Sequence, residues 1–168
     1  MFLGVGRLSA EGPAVDHGDP TAVARVFYSE VRRLGVSGLP GEQAWMKLKP
    51  FCSESLGGLL ELAVKEQVEF IERHPDEKPP WIEGDLFSSL FEGPRQFSTG
   101  AAKIAGETAE VVVECSHTEG GDTVKWSDVL LLVREGGKWL IDDVSYGGTW
   151  DFANSGTLKE ALDPSEED

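Results

Sequence analysis

The sequence predicts an α+β domain with N-terminal helices packed on a curled antiparallel sheet. Three observations carry this. In the first half, apolar residues recur at the helical period of 3.6, bounded by recognisable caps. From Arg95 onward the pattern changes to runs rich in β-branched and aromatic residues. Within those runs, the stretch from Thr123 to Gly147 holds the strongest hairpin signal: two apolar strands flanking Gly136-Gly137, a pair suited to the φ > 0 positions of a two-residue turn.

The 168 residues suffice for one domain with a real core, and 40% apolar content with nine prolines is ordinary for a globular chain. A net charge of −15 argues against nucleic acid and against an anionic membrane surface, and it suits a basic protein partner. Cys52 and Cys115 lack metal-ligand spacing and read as two buried thiols, or as a disulfide if the protein is exported. Residues 1–10 are apolar but interrupted by Arg7, which makes a poor signal sequence. No run of about 18 apolar residues exists to form a transmembrane segment.

Taken in order, residues 1–18 are expected to form a flexible arm. Asp19-Pro20 opens a helix as N-cap and first helical residue, with Val23, Val26, Phe27, Val31 and Leu34 on one face. Arg25, Glu30, Arg32 and Arg33 face out, and Gly35 is the stop. Residues 42–49 form a short helix ending before Pro50. Ser53-Glu54-Ser55 starts a longer one, whose periodic face runs through Leu56, Leu59, Leu60, Ala63, Val64, Gln67, Val68 and Ile71. Residues 75–94 have no clean period and are broken by four prolines and two glycines, yet they carry Trp81, Ile82, Leu86, Phe87, Leu90 and Phe91. They read as a lid-like crossover over the mouth of the core. Strands follow over 97–104, 109–117 and the two arms of the hairpin. The short TLKEAL helix at 157–162 ends a domain spanning 19–162, and 163–168 is an acidic tail.

With Gly136-Gly137 as the turn, a uniform register places Trp126, Asp128, Leu130, Leu132, Trp139, Ile141, Asp143 and Ser145 on one face. Ser127, Val129, Leu131, Val133, Leu140, Asp142, Val144 and Tyr146 fall on the other. A loop at 119–122 puts Cys115 opposite Trp126, Val113 opposite Asp128 and His117 opposite Val124. The face carrying Trp126 and Asp128 is therefore the core side. The outer side keeps an apolar stripe of Val112, Val129, Leu131 and Val144, a candidate homodimer surface.

The opening helix DPTAVARVFYSEV and the closing GGKWLIDDVSY resemble the nuclear transport factor 2-like superfamily, the cystatin-like cone. The run PPWIEGDLFSSLFEGP with the W-x-D-V-L-L-L hairpin looks more narrowly like a family of bacterial exported domains. The resemblance covers about residues 19–162 and implies a cone-shaped sheet. It also implies a periplasmic or otherwise exported location in preference to the cytoplasm. The superfamily hosts isomerases, dehydratases, transport adaptors and binding modules, so the fold does not select a function.

The candidate pocket comprises Trp126, Asp128, Trp139 and Asp143, with His117 at one end and Trp81 in the crossover. Two carboxylates among tryptophans have the chemistry for an acid–base pair, since burial and mutual repulsion raise a carboxyl pKa. Asp142 and Tyr146 exchange with Asp143 and Ser145 on a one-residue slip and are secondary candidates. Glu83 and Asp85, flanking Gly84, are placed to reach the pocket mouth, but two acids fall far short of a calcium loop. No metal site or cofactor motif is expected. The reading that follows is a non-enzymatic binding domain for a small ligand or protein partner. The alternatives are an isomerase- or dehydratase-like enzyme using Asp128 and Asp143, or an acidic immunity- or inhibitor-type protein.

Overall fold

A computed structural model describes residues 14–163, so the expectations for residues 1–13 and 164–168 lie outside the described residues. Helix α1 spans Pro20–Leu34. The Asp19 carboxylate accepts the Thr21 N–H at 2.9 Å, and Gly35 ends the helix in the left-handed region at φ 61°. Val23, Ala24, Phe27, Tyr28 and Val31 are buried, and burying a side chain such as Val23, Phe27 or Val31 contributes about 1.5–3 kcal/mol. Glu30, expected to face out, is buried too. Arg33 meets both of its oxygens at 2.8 Å, and this pairing holds the Glu30 carboxyl below its ordinary range.

Helix α2 spans Glu42–Leu48 and continues through Pro50 as a 3-10 turn, Lys49–Phe51. Proline is tolerated because it falls in the first residues of that turn, where its missing N–H is not needed. Helix α3 spans Glu54–Arg73, with the Ser53 hydroxyl accepting Leu56 N–H at 3.0 Å. Only Leu56, Gly57, Leu60 and Ala63 are buried. Val64, Val68 and Ile71, expected on the core face, are 39–50% exposed because only the first half of the helix packs on the domain.

The antiparallel sheet has five strands and is not closed: β1 (Gln96–Thr99), β2 (Lys103–Ala105), β3 (Thr108–Glu119), β4 (Asp122–Glu135) and β5 (Lys138–Ser145). The order is β1-β3-β4-β5, and β2 also pairs with β3. The single strand expected over 97–104 is thus two, parted at 100–102, where Gly100 N–H still reaches Val112 O at 2.9 Å. The β3–β4 register pairs Cys115 with Trp126, Val113 with Asp128 and His117 with Val124, as the hairpin argument requires.

The β4–β5 register holds from Glu135↔Lys138 to Leu132↔Ile141 and then slips, so that Leu131 faces Asp143 and Leu130 faces Val144. Asp142 is the extra residue of a β-bulge. The slip corrects two expectations. Val144 leaves the outer stripe and is fully buried opposite Leu130, while Asp143 leaves the face it was to share with Asp128. Hydrophobic burial decides the exchange: a valine enters the core in place of a carboxylate.

Val111, Val113, Cys115, Leu130, Leu132, Trp139 and Ile141 meet α1 and α3 in one buried cluster. Helix α4 (Leu158–Ala161), with a capping box between Thr157 and Glu160, closes on β5. Both cysteines are free and buried, and burial pushes the Cys52 thiol up to about 12. The described end of the arm is held in place: Val15 packs on the core and Trp139 N–H donates to His17 O at 2.9 Å.

Candidate functional site

The expected pocket is a sealed structural cluster. Asp128 is fully buried and accepts four hydrogen bonds: Ser89 N–H, Trp126 Nε1–H and Gly147 N–H, each at 2.9 Å, and the Ser89 hydroxyl. Trp126 and Trp139 are packed in the core, Trp126 edge-on to Trp150 and Trp139 beneath the Arg134 guanidinium. Asp143 accepts from Val144 N–H at 2.8 Å and Lys159 N–H at 3.0 Å, tying β5 to α4. Asp142 takes the Ser53 hydroxyl at 2.7 Å and Lys159 Nζ at 3.0 Å. The two predicted acid–base partners thus serve different parts of the fold, and the bulge is the cause.

The crossover is pinned rather than free to lift. Its carbonyls find side chains from distant elements. Tyr28 donates to Phe87 O and Tyr146 to Leu86 O, both at 2.6 Å. Asn154 Nδ2 donates to Ser88 O at 2.7 Å and Asp85 O at 3.1 Å, and Asn154 N–H reaches Ser89 O at 2.9 Å. These bonds satisfy backbone groups that have no ladder to join. Burial pushes both tyrosine hydroxyls up, so they remain donors. Phe87, Ser88 and Ser89 are buried as a plug, not a lid. Trp81, at φ 51°, anchors the start of the crossover by donating Nε1–H to Ala161 O at 2.7 Å.

Pinning the crossover opens a different cavity. A cleft of about 360 Å³ lies between the end of α1 and residues 84–94. Val31, Arg32, Gly35, Val36 and Ser37 form one wall, and Gly84, Asp85, Phe91, Glu92, Gly93 and Pro94 the other. The walls are stitched at the base: Gly38 N–H donates to Gly84 O at 2.7 Å, and Gly84 N–H to the Ser37 hydroxyl at 3.0 Å. Gly84 and Gly93 both have φ > 0 and both admit a close neighbour. A Cβ would fall 2.6 Å from the Phe91 ring at the first and 2.6 Å from the Asp85 carboxylate at the second.

Asp85 is the half-buried acid of this cleft. It accepts Phe87 N–H at 2.7 Å and the Ser88 hydroxyl at 3.2 Å. Burial raises its pKa to about 6 against the opposing pull of those two donors, and the Asp128 charge adds to the rise. His117 Nδ1 lies 2.8 Å from Gly93 O, behind the cleft, and its buried Nε2 has no hydrogen bond. Glu83 is exposed and pairs with Lys78. Among the described residues no group of three or more His, Cys, Asp or Glu side chains is arranged to hold a metal ion.

Of the sequence candidates, then, Asp85 lines the cleft and His117 backs it. Trp81, Trp126, Asp128, Trp139, Asp142, Asp143 and Tyr146 fix the scaffold. Ser89, Tyr28, Asn154 and Gly147, which complete the pinning network, were not foreseen. Their partners lie 19 to 69 residues away, beyond any local pattern.

No helix among the described residues is long and apolar enough to cross a membrane. No family model matches the chain, and no solved structure matches it. The chain is similar to the uncharacterized lipoprotein YbjP of Escherichia coli (strain K12), with 30% identity over 153 residues. The similarity covers 90% of this chain and 80% of the relative, so it takes in α1 to α3, the crossover, the sheet and the cleft together. On that extent of shared sequence, the chain belongs to the family of lipoprotein YbjP.

Proposed function

We propose that this is an exported, non-enzymatic binding domain whose ligand enters the cleft between α1 and the crossover. The observation that carries the reading is a cavity of about 360 Å³, within the size range of small-ligand sites, with a half-buried carboxylate on its wall. Export rests on the relative, which is a lipoprotein by name. We further read the helices on a curled sheet as a nuclear transport factor 2-like cone. The isomerase- or dehydratase-like alternative lacks support, because Asp128 is enclosed by four donors and Asp143 binds the start of α4.

The test is a fragment screen on the full chain, read by amide chemical shifts. Hits should perturb residues 31–37 and 84–94 and should weaken in Phe91→Ser, a change at a side chain that is 52% exposed. Hits that gather on the outer sheet face, or none at the cleft, would remove the reading.

A second reading is a protein partner, as for an acidic inhibitor or immunity-type protein. Phe152, 93% exposed, is the observation in its favour, alongside the charge of −15. A homodimer through the outer face would use Val112, Val129 and Leu131, all half-buried, and light scattering at rising concentration tests it.

A further inference from the structure

The chemistry of the cleft wall selects a class of ligand, on the footing that the cleft is the binding site proposed above. Three features point the same way. First, Asp85 has no basic partner among the described residues, although it is half-buried. A carboxylate so placed gains from an incoming positive charge far more than an exposed one does. Second, five backbone N–H groups around the cleft already donate elsewhere: Gly35 to Arg32 O, Val36 to Val31 O, Asp85 to Phe91 O, Gly93 to Leu90 O and Gly84 to the Ser37 hydroxyl. An anion would find few free donors.

Third, the cleft opens at the C-terminal end of α1, a 15-residue helix whose dipole favours cations there. Arg32 does not occupy that role. Its guanidinium donates to Arg95 O and stacks on Phe97, 5.6 Å from the ring centroid. Arg33, next along, is held by Glu30. Glu92 adds a second carboxylate to the rim, and Val36, Phe91 and Pro94 supply apolar walls for a hydrocarbon stem.

We propose that the cleft binds the ammonium or guanidinium head of a cationic ligand, with Asp85 as its counter-ion and the alkyl stem against Phe91 and Val36. The same chemistry is offered by a free alkylamine and by a lysine or arginine side chain of a polypeptide.

The experiment titrates the full chain at pH 7.5 with n-pentylammonium, with 1-pentanol as a neutral isostere, and with Nα-acetyl-lysine amide. Amide shifts of Gly35, Gly84 and Gly93 provide the readout. The ammonium should saturate those shifts at a concentration at least tenfold below pentanol. Asp85→Asn should abolish the difference. Lowering the pH to 5 should weaken ammonium binding to the unmodified chain about tenfold, since a carboxyl with pKa about 6 is then mostly protonated. The pH and isostere arms need no variant, so they decide the matter even if Asp85→Asn folds poorly.

Tighter binding of the acetyl-lysine amide than of pentylammonium identifies a polypeptide side chain as the source, and the reverse order identifies a free amine. Equal response to pentanol and pentylammonium overturns the cationic assignment while leaving the cleft a binding site. No perturbation of the cleft by any probe, together with a fragment screen empty there, removes both.

Discussion

Replacing Asp128 with asparagine tests whether one carboxylate holds the crossover on the sheet. Each Asp128 oxygen accepts two donors: Oδ1 takes the Ser89 hydroxyl and Gly147 N–H, and Oδ2 takes Ser89 N–H and Trp126 Nε1–H. Asparagine keeps one oxygen and turns an NH₂ toward the other two donors. An NH₂ in place of Oδ2 orphans both Ser89 N–H and Trp126 Nε1–H, whereas an NH₂ in place of Oδ1 orphans only Gly147 N–H, because the Ser89 hydroxyl can turn to accept it. One or two buried hydrogen bonds to a charged acceptor are thus lost, at about 1.5–3 kcal/mol each. The expected loss is therefore about 1.5–6 kcal/mol, from a total of roughly 5–15 for a domain. For a chain of this size that lowers the melting temperature by about 5–20 °C. Urea unfolding gives the loss, and amide hydrogen exchange should show residues 85–94 opening before the strands. A loss below about 1 kcal/mol with exchange unchanged would refute the argument that the carboxylate is the pin.

Three further outcomes are expected. Gly38→Ala should destabilise by about 2 kcal/mol or more in urea unfolding, because φ is 69° and a Cβ would meet the Ile82 carbonyl carbon at 2.7 Å. Asp85 has a folded pKa of about 6 against about 3.8 unfolded, so the unfolded chain ionises first as pH rises. Its share of stability is thus present below pH 4 and lost between pH 4 and 6, by at most about 3 kcal/mol, and Asp85→Asn should remove that slope from unfolding curves measured across the range. Val68→Thr, at a position 50% exposed on α3, should change stability by less than about 0.5 kcal/mol, which thermal unfolding can check.

Local signals announced the local structure. Asp19, Pro20 and Gly35 bound α1 through capping chemistry that each residue carries in itself, and Gly136-Gly137 takes φ of 56° and 77° as its turn demands. The bulge at Asp142 left no such mark: neither glycine nor proline interrupts WLIDDVS, and only the gain from burying Val144 shifts the register. The surplus apolar residues of α3 misled for a related reason. Periodicity shows which face is apolar, not how far along the helix a partner extends. The cleft was legible only through Asp85, because its shape depends on Tyr28, Asn154 and Ser89 holding the crossover, and those pairings join residues 39 to 69 apart.

The clasp at Asn154 bears on how the molecule assembles. Its amide meets Asp85 and Ser88, residues translated 66 or more positions earlier. The crossover therefore gains its full set of bonds only once Asn154 has left the ribosome. Contacts so distant close slowly, since the loop must be ordered before anything rewards it. A nascent molecule stalled before that asparagine would leave the Asp85 and Ser88 carbonyls without this partner and the crossover less firmly held.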